Sequence, residues 1–424
     1  MKKWLVMSCL AVCAVSAQAT SLTQSVQKAL DTHPDLIAGN AEVLANEFDV
    51  QAATQAFRPR LDLNAGIGRE RTDADNVNGG DPLTLTRREL GLTATWTLFD
   101  AGAAGEVSRR DGISESARFG FMDLRQRVAL DAAQAYINLW RAEQQYRIVQ
   151  GSRMAHETLV DQIGRRVEQG VSNDSELIQA QGRLALALSN QTAALSNLQI
   201  ARATYHRMVG EIPNLDLSMP RMQWKRPSNL DQAVDLAYAN HPVIAQAKAD
   251  IAQAMGQAKT AEGRLLPTLR LEVGASRNED LDGIRGVSTD RQAVLRANWA
   301  LYNGAERSNV RASAQRVAQA ESLLNDAQRE VIEATHQAWN EFQSTAQQLD
   351  YLVLYVASAN STREAYQQQF TINRRTLLEV LDSEVERFEA LASQIDVQAD
   401  HVIADLQLAA SQGQLLKVMQ EQAN

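Results

Sequence analysis

The chain has 424 residues, with 42 Lys and Arg against 51 Asp and Glu, which gives a formal net charge of −9 at pH 7. An acidic chain is a poor candidate for nucleic-acid binding, because clusters of Lys and Arg supply most of that affinity. Aromatic residues make up only 5% of the chain, a composition that suits long packed helices better than a globular β core.

Residues 1–19 have the pattern of a secretory signal peptide. Two lysines open the chain, residues 4–15 are apolar, and Ala17-Gln18-Ala19 supplies the small residues of a cleavage site. Cleavage there would remove both cysteines, so the mature chain would have no thiol for a disulfide or a metal. Lipid attachment at Cys13 is the alternative, which the bulky Val12 before it disfavours.

Four segments alternate between apolar and polar residues, and we expect each to be a β-strand. Such alternation over about ten residues is typical of outer-membrane β-barrels. A soluble sandwich with one solvated face is the alternative, which the long helices predicted below disfavour. The predicted strands are about 60–71, 87–99, 268–278 and 291–302. Aromatic residues near the strand ends would lie at the membrane interface: Trp96, Phe99, Trp299 and Tyr302.

Each pair of strands is followed by a long helical pattern without proline. The predicted helices are 103–168, 174–210, 305–370 and 375–415, with turns between the members of each pair. At about 1.5 Å per residue, the longer helices would each reach on the order of 100 Å. Pro59 and Pro267 stand where a helix must become a strand.

The two halves of the chain are copies of one pattern. His33-Pro34 corresponds to His241-Pro242, and the motif from Trp96 to Asp100 corresponds to the motif from Trp299 to Asn303. The repeat predicts a first half at 20–210, a linker at 211–229 and a second half at 230–424.

Four strands cannot close a barrel, and an open sheet edge in lipid would leave backbone groups unpaired. We therefore expect an oligomer. Three chains with about twelve strands are reasonable for a wet lumen, although the periodicity leaves two or four chains open. The inward faces would carry polar residues: Asp62, Asn64, Arg270, Glu272, Arg296 and Asn298.

No catalytic motif stands out. The sequence has no Gly-rich phosphate loop and no nucleophile motif, and its histidines do not have the spacing of metal ligands. We therefore predict neither an enzyme, nor a cofactor, nor a metal site.

These features together resemble the TolC family of outer-membrane efflux and secretion tunnels. The resemblance rests on the signal peptide, the repeated His-Pro, the motif from Trp96 to Asp100, and the turn Gly170-Val171-Ser172-Asn173. It implies a mostly α fold with four transmembrane strands per chain. Three chains would form a β-barrel of about twelve strands on a long periplasmic α-helical barrel. The protein would lie in the lipid of a Gram-negative outer membrane and reach into the periplasm.

The resemblance also implies partners, namely two further copies, a periplasmic adaptor and an inner-membrane transporter. The stretch Leu85-Thr86-Arg87-Arg88-Glu89 resembles the type I secretion subgroup, which favours protein export powered by an ABC transporter. Small-molecule efflux, with an ABC or proton-driven pump, is the alternative. A periplasmic helical scaffold without a pore is a third.

The segment from Asn373 to Asp382 resembles the family's gate pattern Gly-Thr-Arg-Thr-x-x-Asp-Val-Leu-Asp. The resemblance implies that Arg375 ties helix ends together through Ser175 and Glu176, and that Glu379 and Asp382 form an acidic ring at the constriction. Asn373 replaces the usual glycine, and Phe370 replaces a tyrosine whose hydroxyl is then missing. The residues implied to contact the adaptor are Gly170, Val171, Ser172, Asn173, Asn373 and Arg374.

Overall fold

The computed structural model describes residues 21–73, 79, 81–212, 217–372 and 374–422. The predicted signal peptide, Cys13 and Asn373 lie outside these residues. Two compact units can be distinguished by their internal contacts. One contains the strands and covers 38–123 and 242–331; the other contains the helix turns and covers the rest of the described chain.

Both halves of the chain have the same order of two helices, two strands and two long helices, and the second half ends in one more short helix. Helices α3 and α7 have 68 residues each, which corresponds to about 100 Å. The elements of the first half are α1 Leu22–Thr32, α2 Pro34–Thr54, β1 Arg60–Thr72, β2 Leu83–Phe99, α3 Ala101–Glu168 and α4 Asp174–Val209. Those of the second half are α5 Leu230–Asn240, α6 Pro242–Gly263, β3 Thr268–Glu279, β4 Val287–Asn298, α7 Gly304–Thr371, α8 Leu377–Ser411 and α9 Leu415–Glu421.

The four strands form one antiparallel sheet in the order β1-β2-β3-β4. Its register puts the apolar residues of all strands on one face, since Leu63 pairs with Leu92 and Leu92 pairs with Ala275. The leucines on this face are open to the surroundings, with Leu63 68% exposed. The predicted polar set lies on the other face, where Thr95 pairs with Glu272 and Arg270 pairs with Arg296. This confirms the prediction of a mostly α chain with four strands.

Two strands differ from their predicted bounds by more than one residue, because a strand begins and ends where its partner does. β4 begins at Val287 rather than at 291, since Val287 pairs with Glu279 at the end of β3. β4 stops at Asn298, which pairs with Thr268, the first residue of β3 after Pro267. Trp299 and Tyr302 therefore lie beyond the strand and not within a strand 291–302 as predicted. β2 begins at Leu83 rather than at 87, because Leu83 pairs with Thr72 at the end of β1.

In the strand-bearing unit, α3 and α6 pack with their backbones in contact at four glycines. A Cβ built on Gly112 would lie 2.4 Å from the backbone N of Gln253, and one on Gly105 would lie 2.3 Å from that of Thr260. The same holds in the other direction for Gly256 and Gly263 on α6. Only glycine allows this distance between the helices.

In the helical unit, buried polar links hold the segment after Trp224 against α8. The carboxylate of Asp405, almost fully buried, accepts hydrogen bonds from Arg226 at 2.8 and 2.6 Å and from the Trp224 indole at 3.0 Å. Ser25 and Tyr205 join α1 to α4 through a 2.8 Å hydroxyl pair. Across the described residues, none of the helices combines the length and apolarity needed to span a membrane.

Candidate functional site

The turn between α3 and α4 is closed by backbone hydrogen bonds. Gly170 has φ +72°, its N–H donates to the Val167 carbonyl at 2.9 Å, and the N–H of Val171 donates to the Arg166 carbonyl at 2.8 Å. This pair of bonds is the Schellman motif, in which a left-handed residue after the helix suits glycine. The predicted Gly170 therefore has a local structural role, and the side chain of Val171 is left 57% exposed.

The turn between α7 and α8 begins the next helix with a capping box. Thr376 is the N-cap of α8, and its hydroxyl accepts from the N–H of Glu379, whose carboxylate accepts in return from the Thr376 N–H at 2.9 Å. Such reciprocal bonds satisfy donors that a helix start leaves unpaired. Helix α8 consequently begins at Leu377 and not at the predicted 375.

Arg375 stands at this turn, and its guanidinium is held on three sides. It lies 4.2 Å from the ring centroid of Tyr366, donates to the Gln369 side-chain oxygen at 2.9 Å, and forms an ion pair with Glu379. Within the described part of this chain, Arg375 does not contact Ser175 or Glu176. Both of these residues lie on the first turn of α4, where Ser175 is exposed and Glu176 is half-buried.

A second arginine makes the corresponding stacking contact from the other turn. The guanidinium of Arg166 lies 4.9 Å from the ring centroid of Phe370, and its Nε donates to Ser172 Oγ at 3.3 Å. Phe370 has no hydroxyl, unlike the tyrosine that it replaces in the family pattern. Its ring is buried, and the guanidinium of Arg166 lies over it. Since Arg166 is on α3 and Phe370 on α7, the contact joins the two helix pairs.

Below these arginines, an apolar cluster packs the ends of the four long helices together. Leu381 and Ile163 are fully buried within it. The cluster consists of Leu159, Ile163, Ala180, Phe370, Leu377, Val380 and Leu381. The polar contacts at the two turns therefore lie next to a well-packed apolar cluster.

The two predicted acidic residues each have an arginine partner within the chain. The pKa of Glu379 is lowered from its ordinary 4.5 to about 2 by hydrogen bonds to its carboxylate. The largest effect comes from the Thr376 backbone N–H, followed by the Thr376 hydroxyl and the Arg375 guanidinium. Asp382 pairs with Arg183 of α4 at 3.1 Å. Glu379 is thus ionised at neutral pH, and each of the two acidic side chains has an arginine beside it.

Four residues of this site escaped the sequence analysis: Arg166, Arg183, Tyr366 and Gln369. Tyr366 and Phe370 are spaced by one helical turn, which could have suggested a pair of aromatic platforms. Nothing in the sequence links Arg183 to Asp382, which lies 199 residues later.

In the strand-bearing unit, the predicted interface aromatics occupy equivalent places in the two halves. Trp96 donates its indole N–H to the Phe57 carbonyl at 2.8 Å, and Trp299 donates to the Leu265 carbonyl at 2.9 Å. Both acceptors are two residues before the proline that precedes a strand. Phe99 and Tyr302 are 46% and 79% exposed, as residues facing a membrane interface would be.

The model of a family described as outer membrane efflux protein matches this chain at residues 25–211 and 233–414. The two matched ranges correspond to the two halves of the internal repeat. The outer membrane efflux protein BepC of Brucella suis is 23% identical over 94% of this chain and 87% of its own length. The outer membrane protein TolC of Escherichia coli is 21% identical over 94% and 83%.

The alkaline protease secretion protein AprF of Pseudomonas aeruginosa is 22% identical over 95% of this chain and 86% of its own length. Among solved structures, CusC has a TM-score of 0.83 at 17% identity, over 93% of this chain and 92% of its own. Proteins of this kind are channels rather than enzymes, in the Gram-negative outer membrane with a periplasmic extension. This chain belongs to the outer membrane efflux protein family.

Proposed function

We propose that three copies of this chain form a passive exit duct that serves a type I protein secretion system. The observation that carries the proposal is the four-stranded sheet, which has one apolar face and two edge strands. Among the described residues, β1 pairs only with β2 and β4 pairs only with β3, so each has one free edge. In lipid these edges need partners, because each unpaired backbone group costs several kcal/mol. Pairing β1 of one copy with β4 of the next satisfies both edges.

Oligomeric state is tested by cross-linking between edge strands. With Leu63→Cys on β1 and Leu295→Cys on β4, a flexible bis-maleimide gives a ladder that stops at three chains. The matched control, Leu92→Cys with Val273→Cys on the central strands, links only within one chain. A ladder that stops at two, continues past three, or also appears in the control would contradict the trimer.

The helix turns are proposed as the periplasmic gate, with Arg375 as its main link. Its contacts to Tyr366, Gln369 and Glu379 hold the turn of its own chain, and Ser175 and Glu176 are proposed as its partners across the closed end. Glu379 and Asp382 would line the constriction as an acidic ring. Val171 and Ile372, each more than half exposed, provide apolar contacts for a periplasmic adaptor at the two turns.

The cargo is proposed to be an unfolded protein delivered by an ABC exporter through that adaptor. Support comes from the Leu85–Glu89 stretch and from the likeness to a relative named for alkaline protease secretion. Small-molecule efflux is the second candidate, because BepC is named an efflux protein and another relative, OpmQ of Pseudomonas putida, is named for pyoverdine export.

A deletion strain separates the two cargoes. We expect loss of an exporter-dependent protein from the culture medium, with drug susceptibility unchanged, and recovery when the wild-type gene is returned. A strain that secretes normally but becomes drug-sensitive would replace the first proposal by the second.

A further inference from the structure

The apolar face of the sheet, which would face outward in a barrel, carries arginines instead of leucines towards its hairpin ends. The four helices that adjoin the strands join the sheet at the end opposite its hairpins. Helices α2 and α6 lead into β1 and β3, and helices α3 and α7 follow β2 and β4. In a protein that extends into the periplasm, the hairpin ends therefore lie on the extracellular side. Five arginines occupy the outward face there, and we call them the outer arginines: Arg69, Arg71, Arg88, Arg277 and Arg291.

The register places four of the outer arginines, one from each strand, in a regular diagonal, and Arg71 is the second one on β1. Arg88 pairs with Ile67, two residues before Arg69 on β1, and Arg277 pairs with Leu90, two residues after Arg88. Arg291 pairs with Ala275, which is again two residues from Arg277. From each strand to the next, the arginine is offset by two residues in the register. Strands in a closed barrel are staggered and tilted in a comparable way.

Most of these guanidinium groups have no ion-pair partner among the residues that the structure describes. Arg88 pairs with Glu279 at 3.2 Å, whereas Arg69, Arg71, Arg277 and Arg291 make no ion pair with any residue that the structure describes. The chain as a whole carries a net charge of −9, so this cluster of positive charges has the opposite sign to the net charge of the protein. An arrangement of this kind calls for anions outside the protein.

An apolar groove adjoins the arginines on the same face. Its volume is about 520 Å³, and Arg291 lines it. Small side chains on three strands leave the space open. The other outward-facing residues of the groove are Leu61, Leu92, Ala94, Val273, Ala275 and Ala293. Its shape and polarity suit a hydrocarbon chain whose head group reaches the guanidinium.

We propose that the outer arginines bind a phosphorylated glycolipid of the outer leaflet, with the chemistry of lipid A. Arg277 and Arg291 hold one phosphate, Arg69 and Arg71 hold another, and an acyl chain lies in the groove. Guanidinium groups suit this task because their planar donors match phosphate oxygens two at a time. The site is independent of the cargo that the duct carries.

The test measures binding of purified diphosphoryl lipid A to the detergent-solubilised full-length protein by native mass spectrometry. EDTA is present so that divalent cations do not bridge phosphates to carboxylates. Arg277→Gln with Arg291→Gln should weaken binding by roughly tenfold or more, since each basic residue beside anionic lipid contributes. The same two positions changed to Lys should keep most of the binding.

The matched control is Arg270→Gln with Arg296→Gln, which removes the same charge from β3 and β4 on the inward face. Binding to this variant should equal that of the wild type. Lipid A stripped of its phosphates should bind the wild type as weakly as the lipid with phosphates binds the outer double variant. Equal binding of both lipids, an unaffected outer variant that is folded by circular dichroism, or equal losses in the outer and inner variants would overturn the proposal.

Discussion

Arg183 of α4 and Asp382 of α8 form an ion pair, with 3.1 Å between Nη2 and Oδ1. The pair connects a helix of the first half to a helix of the second half, one turn after the capping box that starts α8. It also places a positive charge next to one of the two carboxylates proposed to line the constriction. The proposed acidic ring would thus be compensated by an arginine of the same chain.

Removing Arg183 should therefore expose the charge of Asp382. Because the carboxylate is 57% exposed, the ion pair contributes only about 0.2–1 kcal/mol to stability. The larger effect of Arg183→Ala should be on the pore, which should become more selective for cations. Reversal potentials across planar bilayers in a salt gradient measure this selectivity.

Arg207→Ala is the control for Arg183→Ala, since Arg207 is an exposed arginine of the same helix and has no ion pair among the described residues. It should leave the reversal potential unchanged. If both variants shift the reversal potential equally, the shift is caused by the loss of one positive charge, which both variants share. Asp382 would then not line the constriction.

Arg375→Ala should raise the conductance of the closed channel. The substitution removes the stacking on Tyr366 and the bonds to Gln369 and Glu379. These bonds are charge-assisted and therefore stronger than bonds between neutral groups, although contact with solvent weakens them at this position. Single-channel recording in planar bilayers measures the change.

The neighbouring Arg374→Ala provides the comparison for Arg375→Ala. Arg374 is exposed, and its side chain has no partner among the described residues. Its loss should leave the conductance low. An Arg375→Ala channel that stays as closed as the wild type would remove Arg375 from the gate.

Acid should open the α7–α8 turn only at very low pH. The pKa of Glu379 is lowered to about 2, so its contribution to stability is complete above the ordinary value of 4.5 and is lost as pH falls towards 2. Backbone amide exchange of residues 374–380, corrected for intrinsic rates, should stay slow at pH 4 and rise as pH approaches 2.

Glu379→Gln should behave differently across the same pH range. The amide cannot ionise, so exchange at pH 4 should already be faster than in the wild type and should change little with further acid. A wild-type turn whose protection is lost between pH 5 and 4 would show that the Thr376 and Arg375 bonds do not hold the carboxylate as described.

The fold was predictable where a local pattern determines it. Period-two alternation located the four strands, and the prolines at 59 and 267 marked where β1 and β3 begin. The end of β4 was not predictable, because Trp299 continues the alternation and only the start of β3 at Thr268 removes its pairing partner. A strand's length depends on its neighbour, which its own sequence does not contain.

The α7–α8 turn, which is proposed as the gate, was recognisable from the sequence, but its contacts were not. The segment after Asn373 pointed to Arg375 and Glu379, which share one turn and bond to each other. The contact of Arg166 with Phe370 depends on how α3 packs against α7, and that packing involves residues 204 positions apart. The sequence alone therefore indicates Arg375 but not Arg166.

Gly112→Ala should destabilise the strand-bearing unit, although alanine is the better helix former by about 0.5–1 kcal/mol. Its Cβ would lie 2.4 Å from the Gln253 backbone N, so α3 and α6 would have to move apart along a contact that three further glycines keep close. Gly164→Ala on the same helix is the matched control, because no atom outside the backbone of its own helix lies within 4 Å of its Cβ position. Thermal unfolding in detergent should show a lower midpoint for Gly112→Ala and an equal or higher midpoint for Gly164→Ala. A Gly112→Ala protein as stable as the wild type would mean that the helices have room to separate, and the close approach would then not be required for the fold.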